Sequence, residues 1–72
     1  MRELLERLVG EMVEKGIRYD DAQREFEKRF ITRVLQSHDG NLGQAAKTLG
    51  VHRNTLARKI QELKIRSRAA GG

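Results

Sequence analysis

The sequence predicts an all-α fold, a single four-helix domain whose last two helices form a helix-turn-helix. Apolar residues recur three and four positions apart along most of the chain, which is the period of an amphipathic helix. The chain contains no proline, one tyrosine and two phenylalanines, a composition that fits short helices better than a β fold. Glycines at the ends of the periodic segments indicate where successive helices stop.

Length and composition limit the chain to one small domain with a marginal core. At 72 residues, a single hydrophobic core supplies little stability, so disulfides, a metal or oligomerisation usually contribute. The absence of cysteine excludes disulfides and thiolate zinc sites, and neither histidine stands in a metal-ligand spacing with carboxylates. We therefore expect no metal and no cofactor, and self-association is left as the source of additional buried area.

The first helix is predicted over residues 2–15 and carries a broad apolar stripe. The stripe residues, which we expect to form a dimer interface, are Leu4, Leu5, Leu8, Val9, Met12 and Val13. The opposite face is mainly acidic and would be repelled by anionic lipid, so another helix is favoured over a membrane surface as the partner. Gly10 lies inside the helix, where glycine lowers helix stability by about 1 kcal/mol relative to alanine. Its presence suggests that another helix approaches closely there. Gly16 ends the helix, and no apolar run is long enough to span a membrane.

The second helix is predicted from Tyr19 or Asp20 to His38, with acidic residues at its positive dipole end. It carries two adjoining apolar rows, formed by Ala22, Phe26, Phe30 and Val34 and by Ile31 and Leu35. So broad a face is expected to contact both the first helix and a second copy of the chain. Phe26 and Phe30 therefore join the predicted dimerisation residues. His38 is interpreted as a dipole-compensating or solvent-facing residue, and Gly40 ends the segment.

Residues 40–65 are predicted to form two short helices joined by a tight turn. Asn41 can cap the first of these helices by accepting a free backbone N–H, and Gly50 suits the left-handed conformation at its end. Ala45 and Ala46 are small enough to let the two helices cross closely, as a helix-turn-helix requires. Val51 is expected to re-enter the core. The second helix then presents one apolar stripe, formed by Leu56, Ile60 and Leu63.

Positive charge is concentrated in this C-terminal part of the chain. Residues 1–38 hold eight basic and eight acidic residues, whereas residues 39–72 hold seven basic and two acidic residues and so account for the whole net charge of +5. A cationic surplus confined to the helix-turn-helix is what phosphate binding requires. The alternative is a solvated basic face that has no partner.

The sequence of residues 40–65, GNLGQAAKTLGVHRNTLARKIQELKI, closely resembles the C-terminal domain of the Fis family, a form shared with NtrC-type transcriptional activators. The preceding run at residues 26–41, FEKRFITRVLQSHDGN, is similar to the helix that precedes the motif in that family. The resemblance implies a four-helix, Fis-like, homodimeric bacterial DNA-binding domain that dimerises through its two N-terminal helices.

By position, the resemblance also implies which side chains contact DNA. The expected contact residues are Asn41, Gln44, His52, Arg53, Asn54, Thr55, Arg58 and Lys59. Arg53 would reach guanine O6 and N7, with its three polar neighbours contacting bases or backbone. Arg58 and Lys59 would grip phosphates, as would the start of the first motif helix at Asn41 and Gln44.

The sequence departs from the Fis protein at two positions of the second motif helix and its start, so the base preference of Fis is not carried over to this chain. Ala57 stands where Fis carries a further basic residue, and His52 stands where it carries an amide.

The predicted organisation is one domain with dimerisation helices over residues 1–38, a helix-turn-helix unit over residues 39–65 and a disordered tail over residues 66–72. The predicted function is that of a homodimeric, sequence-preferring protein that binds double-stranded DNA in the bacterial cytoplasm, as a transcriptional regulator or a nucleoid-associated architectural protein. The alternative is a helical protein-interaction module with an incidental basic half. An enzyme with a small-molecule substrate is not expected, because no nucleophile–base pairing is evident. A stand-alone regulator and the C-terminal piece of a larger one both fit the sequence.

Overall fold

The chain, in a computed structural model, is described over residues 1–65 and forms four helices there. The helices are α1 (Arg2–Glu14), α2 (Tyr19–Ser37), α3 (Leu42–Leu49) and α4 (Arg53–Glu62). The predicted all-α class and the order of the helices are confirmed. The first two helices each end one residue earlier than expected, because Lys15 and His38 serve as their C-caps. The tail predicted over residues 66–72 lies outside the described residues.

The hydrophobic core lies where α2, α3 and α4 meet. Its buried members are Ile31, Leu35, Ala45, Ala46, Leu56, Leu63 and Ile65. Ala45 is completely buried, and its small side chain allows α3 to pack against both α2 and α4. The predicted apolar stripe of α4 is confirmed, since Leu56 and Leu63 are buried and Ile60 packs half-buried beside them.

Local capping defines the turn between α3 and α4. The Asn41 side-chain oxygen accepts the backbone N–H of Gln44 at 3.1 Å, as the sequence predicts. Gly50 closes α3 with a φ of 74°, in the left-handed region that favours glycine. The next backbone N–H, that of Val51, donates to the carbonyl of Ala46 at 3.0 Å. These bonds satisfy some of the backbone groups that are left free at the two ends of this eight-residue helix.

The prediction that Val51 re-enters the core is wrong. Val51 is 42% exposed, although its backbone N–H closes the end of α3. The core beneath the turn is already filled by Ala46 and Leu56, so Val51 lies at the rim of a small groove between α2 and α4.

Helix α1 stands apart from this core and has no buried residue. Leu4 and Val13 are each 70% exposed, and among the stripe residues only Met12 reaches half-burial. An open groove of about 930 Å³ runs between α1 and α2, and its apolar lining consists of Leu8, Met12, Ile17, Phe26 and Phe30. We call it the α1–α2 groove. No helix within residues 1–65 has the length and apolar character needed to cross a bilayer.

The structure gives a different setting for Gly10 from the one expected. Nothing lies within 4 Å of a Cβ built at this position, so no helix of the described chain approaches it closely. At 100° per residue, Gly10 also lies about 150° from the centre of the apolar stripe, on the polar side of α1. Packing by another helix of residues 1–65 therefore does not account for this glycine.

Candidate nucleic-acid interface

The start of α4 is defined by a histidine cap. His52 precedes the helix in an extended conformation, and its Nδ1 accepts the backbone N–H of Asn54 at 3.1 Å. A ring nitrogen that accepts a hydrogen bond carries no proton, so the neutral imidazole has its proton on Nε2. His52 is exposed, and its second nitrogen is therefore an uncharged donor beside the first turn of α4.

The first turns of α3 and α4 meet around an open cleft of about 470 Å³, which we call the α3–α4 cleft. Its lining residues are Asn41, Gly43, Gln44, Ala46, Lys47, Val51, His52 and Arg53. Four of the eight predicted DNA-contact residues therefore surround one surface, although they come from two helices. The other four lie further along α4 and do not line the cleft.

Arg53 is the first residue of α4 and is exposed. It forms no ion pair within residues 1–65, where the ion pairs involve Arg29, Arg58 and Lys59. The next residue, Asn54, is also exposed, with its backbone N–H held by the His52 cap. The predicted base reader is thus presented at the tip of the helix with its guanidinium available.

The remaining residues of α4 are divided between two sides of the helix. Arg58 is exposed, with its Nε 3.9 Å from the carboxylate of Glu62 one turn later. Thr55 and Lys59 instead line the small groove of about 250 Å³ between α2 and α4. The Lys59 ammonium lies 2.9 Å from a carboxylate oxygen of Glu27 on α2. The sequence suggests a phosphate contact for Lys59, whereas in the structure its ammonium group forms an ion pair with Glu27.

Sequence reasoning missed Lys47 as a candidate contact. It is exposed, lies in the last turn of α3 and lines the α3–α4 cleft beside His52 and Arg53. The signal was available, because Lys47 follows Gln44 by three positions and residues so spaced share one face of a helix. It adds a cation to the α3 side of a surface whose other cations come from α4.

His38 also has a more specific role than the one expected for it. It is half-buried at the end of α2, and its Nε2 lies 2.7 Å from the Thr48 hydroxyl on α3. This hydrogen bond joins the two helices. Within residues 1–65, no cluster of three or more histidine and acidic side chains could hold a metal ion.

Two short helices crossing at a left-handed glycine, with the second exposed and basic at its start, define a helix-turn-helix domain. The chain belongs to the bacterial regulatory protein, Fis family, whose sequence profile matches residues 22–63. The match begins in α2, includes all of α3 and α4 and leaves α1 outside.

Two curated relatives are DNA-binding transcriptional regulators called NtrC. The protein from Klebsiella pneumoniae is 36% identical over an alignment that covers 78% of this chain and 13% of that protein. The protein from Azospirillum brasilense is 45% identical, with 65% of this chain and 10% of that protein covered. The chain thus spans only a small part of these relatives' length. No solved structure matches it significantly.

Proposed function

We propose that this chain binds double-stranded DNA in a sequence-preferring manner, as a homodimeric DNA-binding unit of a transcriptional regulator. The observation that carries the proposal is the α3–α4 cleft, where Gln44, Lys47 and Arg53 are exposed around one surface. Helix-turn-helix proteins bring the N-terminal end of the second helix to the base edges of the major groove. Membership of a family of bacterial regulatory proteins supports the same conclusion.

Each side chain at this surface has a role that suits its chemistry. Arg53 is the base reader, because its planar guanidinium fits the paired acceptors of guanine and carries no competing ion pair within residues 1–65. Lys47 and Arg58 neutralise phosphates. The ion pair of Arg58 with Glu62 does not prevent this, because exposed ion pairs are weak. Asn41 and Gln44 contribute from the first turn of α3, and Asn54 from the tip of α4.

His52 acts as an uncharged donor in this proposal. Its Nδ1 is occupied by the cap on α4, so only Nε2 can face the DNA. That N–H can donate to a phosphate oxygen or to a purine N7, but a neutral ring adds no counterion release. We therefore expect His52 to contribute to geometry and sequence preference more than to salt dependence.

The homodimer is proposed from the exposed apolar surface of α1 and α2. Phe26 and Phe30 are each about half exposed in the α1–α2 groove, and the α1 stripe has no buried residue. Apolar surface of this extent marks an interaction site in a small domain. Basic side chains predominate among the charged residues of the groove, namely Lys28, Arg29 and Arg33, against the single acidic residue Glu25, which pairs with Arg29. They complement the largely acidic polar face of α1, so α1 of a second copy fits both the apolar floor and the charged rim.

Two helices from each copy would then form a four-helix interface with one helix-turn-helix at each end. Dimers of this class read two half-sites about one helical turn of DNA apart. We expect such a protein to act at the bacterial nucleoid, in the cytoplasm, either in transcription control or in shaping DNA.

A salt-dependent binding experiment tests the proposal. The chain is titrated against a labelled random duplex, and against a site selected from a random library, from about 50 to 200 mM salt. We expect binding at low salt that weakens steeply as salt rises, with Lys47→Gln and Arg58→Gln each lowering the slope by about 1. A chain that binds no duplex at low salt would instead be a protein-interaction module, and DNA binding would be excluded.

A further inference from the structure

The ion pair between Glu27 and Lys59 differs from the other ion pairs of residues 1–65. It joins α2 to α4, whereas the pairs of Arg29 with Glu25 and of Arg58 with Glu62 each lie within one helix. Its nitrogen–oxygen distance is 2.9 Å, compared with 3.5 and 3.9 Å for the other two. A distance of 2.9 Å is that of a charge-assisted hydrogen bond.

The two partners are also shielded from solvent. The Lys59 side chain is 33% exposed and that of Glu27 is 28% exposed, whereas Arg58 and Glu62 are 63% and 57% exposed. Exposed pairs contribute little, because water and salt screen them. A less exposed pair is screened less and interacts more strongly, and removing one partner leaves the other as an unpaired, partly buried charge.

The pair lies beside the hydrophobic core that α2 and α4 share. Helix α3 packs against both, and Ile31 and Leu35 of α2 share the hydrophobic core with Leu56 of α4. Glu27 and Lys59 flank the small groove between them, beside Phe30 and Leu56. Apolar contacts have no preferred direction, so within residues 1–65 this ion pair is the one directional charged link between α2 and α4.

We propose that the Glu27–Lys59 pair sets the orientation of the DNA-reading helix relative to α2, so that Lys59 is a positioning residue and not a phosphate contact. This inference rests on the proposed DNA-binding function and extends it. Because α2 also carries the proposed dimer interface, the same link sets how the two α4 helices of a dimer face successive major grooves. A small rotation of α4 would move Arg53 away from its base.

A positioning role for Glu27 predicts a change in DNA affinity opposite to the one that charge repulsion alone predicts. Removing an acidic residue from a DNA-binding surface ordinarily strengthens binding, because repulsion of phosphate falls. If Glu27 instead orients α4 through Lys59, its removal weakens binding to the preferred site. The effect of Glu27→Gln is thus opposite in the two interpretations.

The experiment compares Glu27→Gln, Lys59→Gln and the exchange Glu27→Lys with Lys59→Glu, in the full chain and on the same selected duplex. We expect each single change to weaken binding to the preferred site by about tenfold, the scale of a lost hydrogen bond between charged groups. We expect the exchange, which keeps the net charge and restores an ion pair, to recover most of that loss. Lys59→Gln should leave the salt slope unchanged, whereas Arg58→Gln should lower it by about 1.

Asp21→Asn is the matched control, because Asp21 is an exposed acidic residue of α2 that forms no ion pair within residues 1–65 and lines none of the three grooves. It should leave binding unchanged or slightly tighter. Circular dichroism at the assay temperature verifies that each variant is folded, and the exchange variant keeps the test decisive if a single change unfolds the chain.

Two outcomes would overturn the positioning role alone. One is unchanged or tighter binding by Glu27→Gln, and the other is a salt slope lowered by about 1 in Lys59→Gln without recovery in the exchange. If the unaltered chain binds no duplex at low salt, the proposed function fails and the positioning role fails with it.

Discussion

At the scale of single residues, Arg53 offers the sharpest test of sequence reading. Its position at the first turn of α4 predicts that Arg53→Ala weakens binding to the preferred duplex by about 1–3 kcal/mol, the value of one good bidentate contact. Nonspecific binding should fall much less. The measurement is affinity for the selected duplex and for a version changed at one guanine in each half-site.

Arg53→Lys and Arg24→Ala complete that experiment. Lysine keeps the charge but loses the planar fork, so it should also lose the preference for guanine. Arg24 is an exposed arginine of α2 that lines none of the clefts described here, so Arg24→Ala removes a charge away from the interface. An Arg53→Lys variant that retains the guanine preference would identify Arg53 as a phosphate contact.

Because His52 caps α4 and also faces the proposed DNA surface, replacing it with aspartate should stabilise the fold but weaken DNA binding. Aspartate is a better cap than histidine and also opposes the positive end of the helix dipole, so His52→Asp should raise the unfolding free energy by about 0.3–1 kcal/mol. The same carboxylate faces DNA and should weaken duplex binding. His52→Asn, which caps without adding charge, is the control and should bind more tightly than His52→Asp. Thermal unfolding at fixed protein concentration and duplex titration measure the two effects separately.

The tautomer of His52 gives a second measurement that is independent of DNA. The hydrogen bond to Asn54 requires an unprotonated Nδ1 and a protonated Nε2. Ring nitrogen chemical shifts measured by NMR in mildly alkaline solution distinguish the two tautomers. A proton on Nδ1 would show that the cap is absent.

At the scale of helices, alanine substitutions at Gly10 and Gly50 distinguish the effect of helix propensity on stability from the effect of turn geometry. A Cβ built at Gly10 or at Gly50 has nothing within 4 Å, so neither alanine substitution creates a clash. Gly10 lies inside α1, so Gly10→Ala should raise the free energy of unfolding by about 1 kcal/mol. Gly50 has a φ of 74°, a conformation that is strained for a residue with a Cβ, so Gly50→Ala should lower the free energy of unfolding by about 1–2 kcal/mol. Denaturant unfolding of both variants is the measurement, and destabilisation by Gly10→Ala would reveal a partner packed against that side of α1.

At the scale of the whole molecule, the exposed α1 stripe predicts a dimer at micromolar concentration. Leu8 lines the α1–α2 groove, so Leu8→Glu should dissociate the dimer and lower stability, because a carboxylate in an apolar interface is poorly compensated. Arg7→Glu introduces the same side chain on the opposite, polar face of α1 and should leave the dimer intact. Sedimentation velocity measures both, and a folded monomer of the unaltered chain at that concentration would contradict the prediction.

Features that depend on near neighbours in the chain are the ones the sequence predicts well. The four helices, the Asn41 cap and the left-handed Gly50 follow from i to i+4 periodicity and from the needs of helix ends. The burial of Ala45 and Leu56 follows from the same pattern. The family is likewise evident from the motif, because its characteristic residues are contiguous.

The sequence by itself therefore determined the all-α class, the helix order and the basic helix-turn-helix. Only the tertiary structure decided that Val51 is exposed, that Lys47 shares a cleft with Arg53 and that Lys59 pairs with Glu27. Each of these depends on how helices distant in the chain cross. Periodicity places a residue on a face of its own helix, but the crossing geometry determines which charge from another helix meets it. That is why Lys59 resembles a phosphate contact in the sequence and is an interhelical ion pair in the structure.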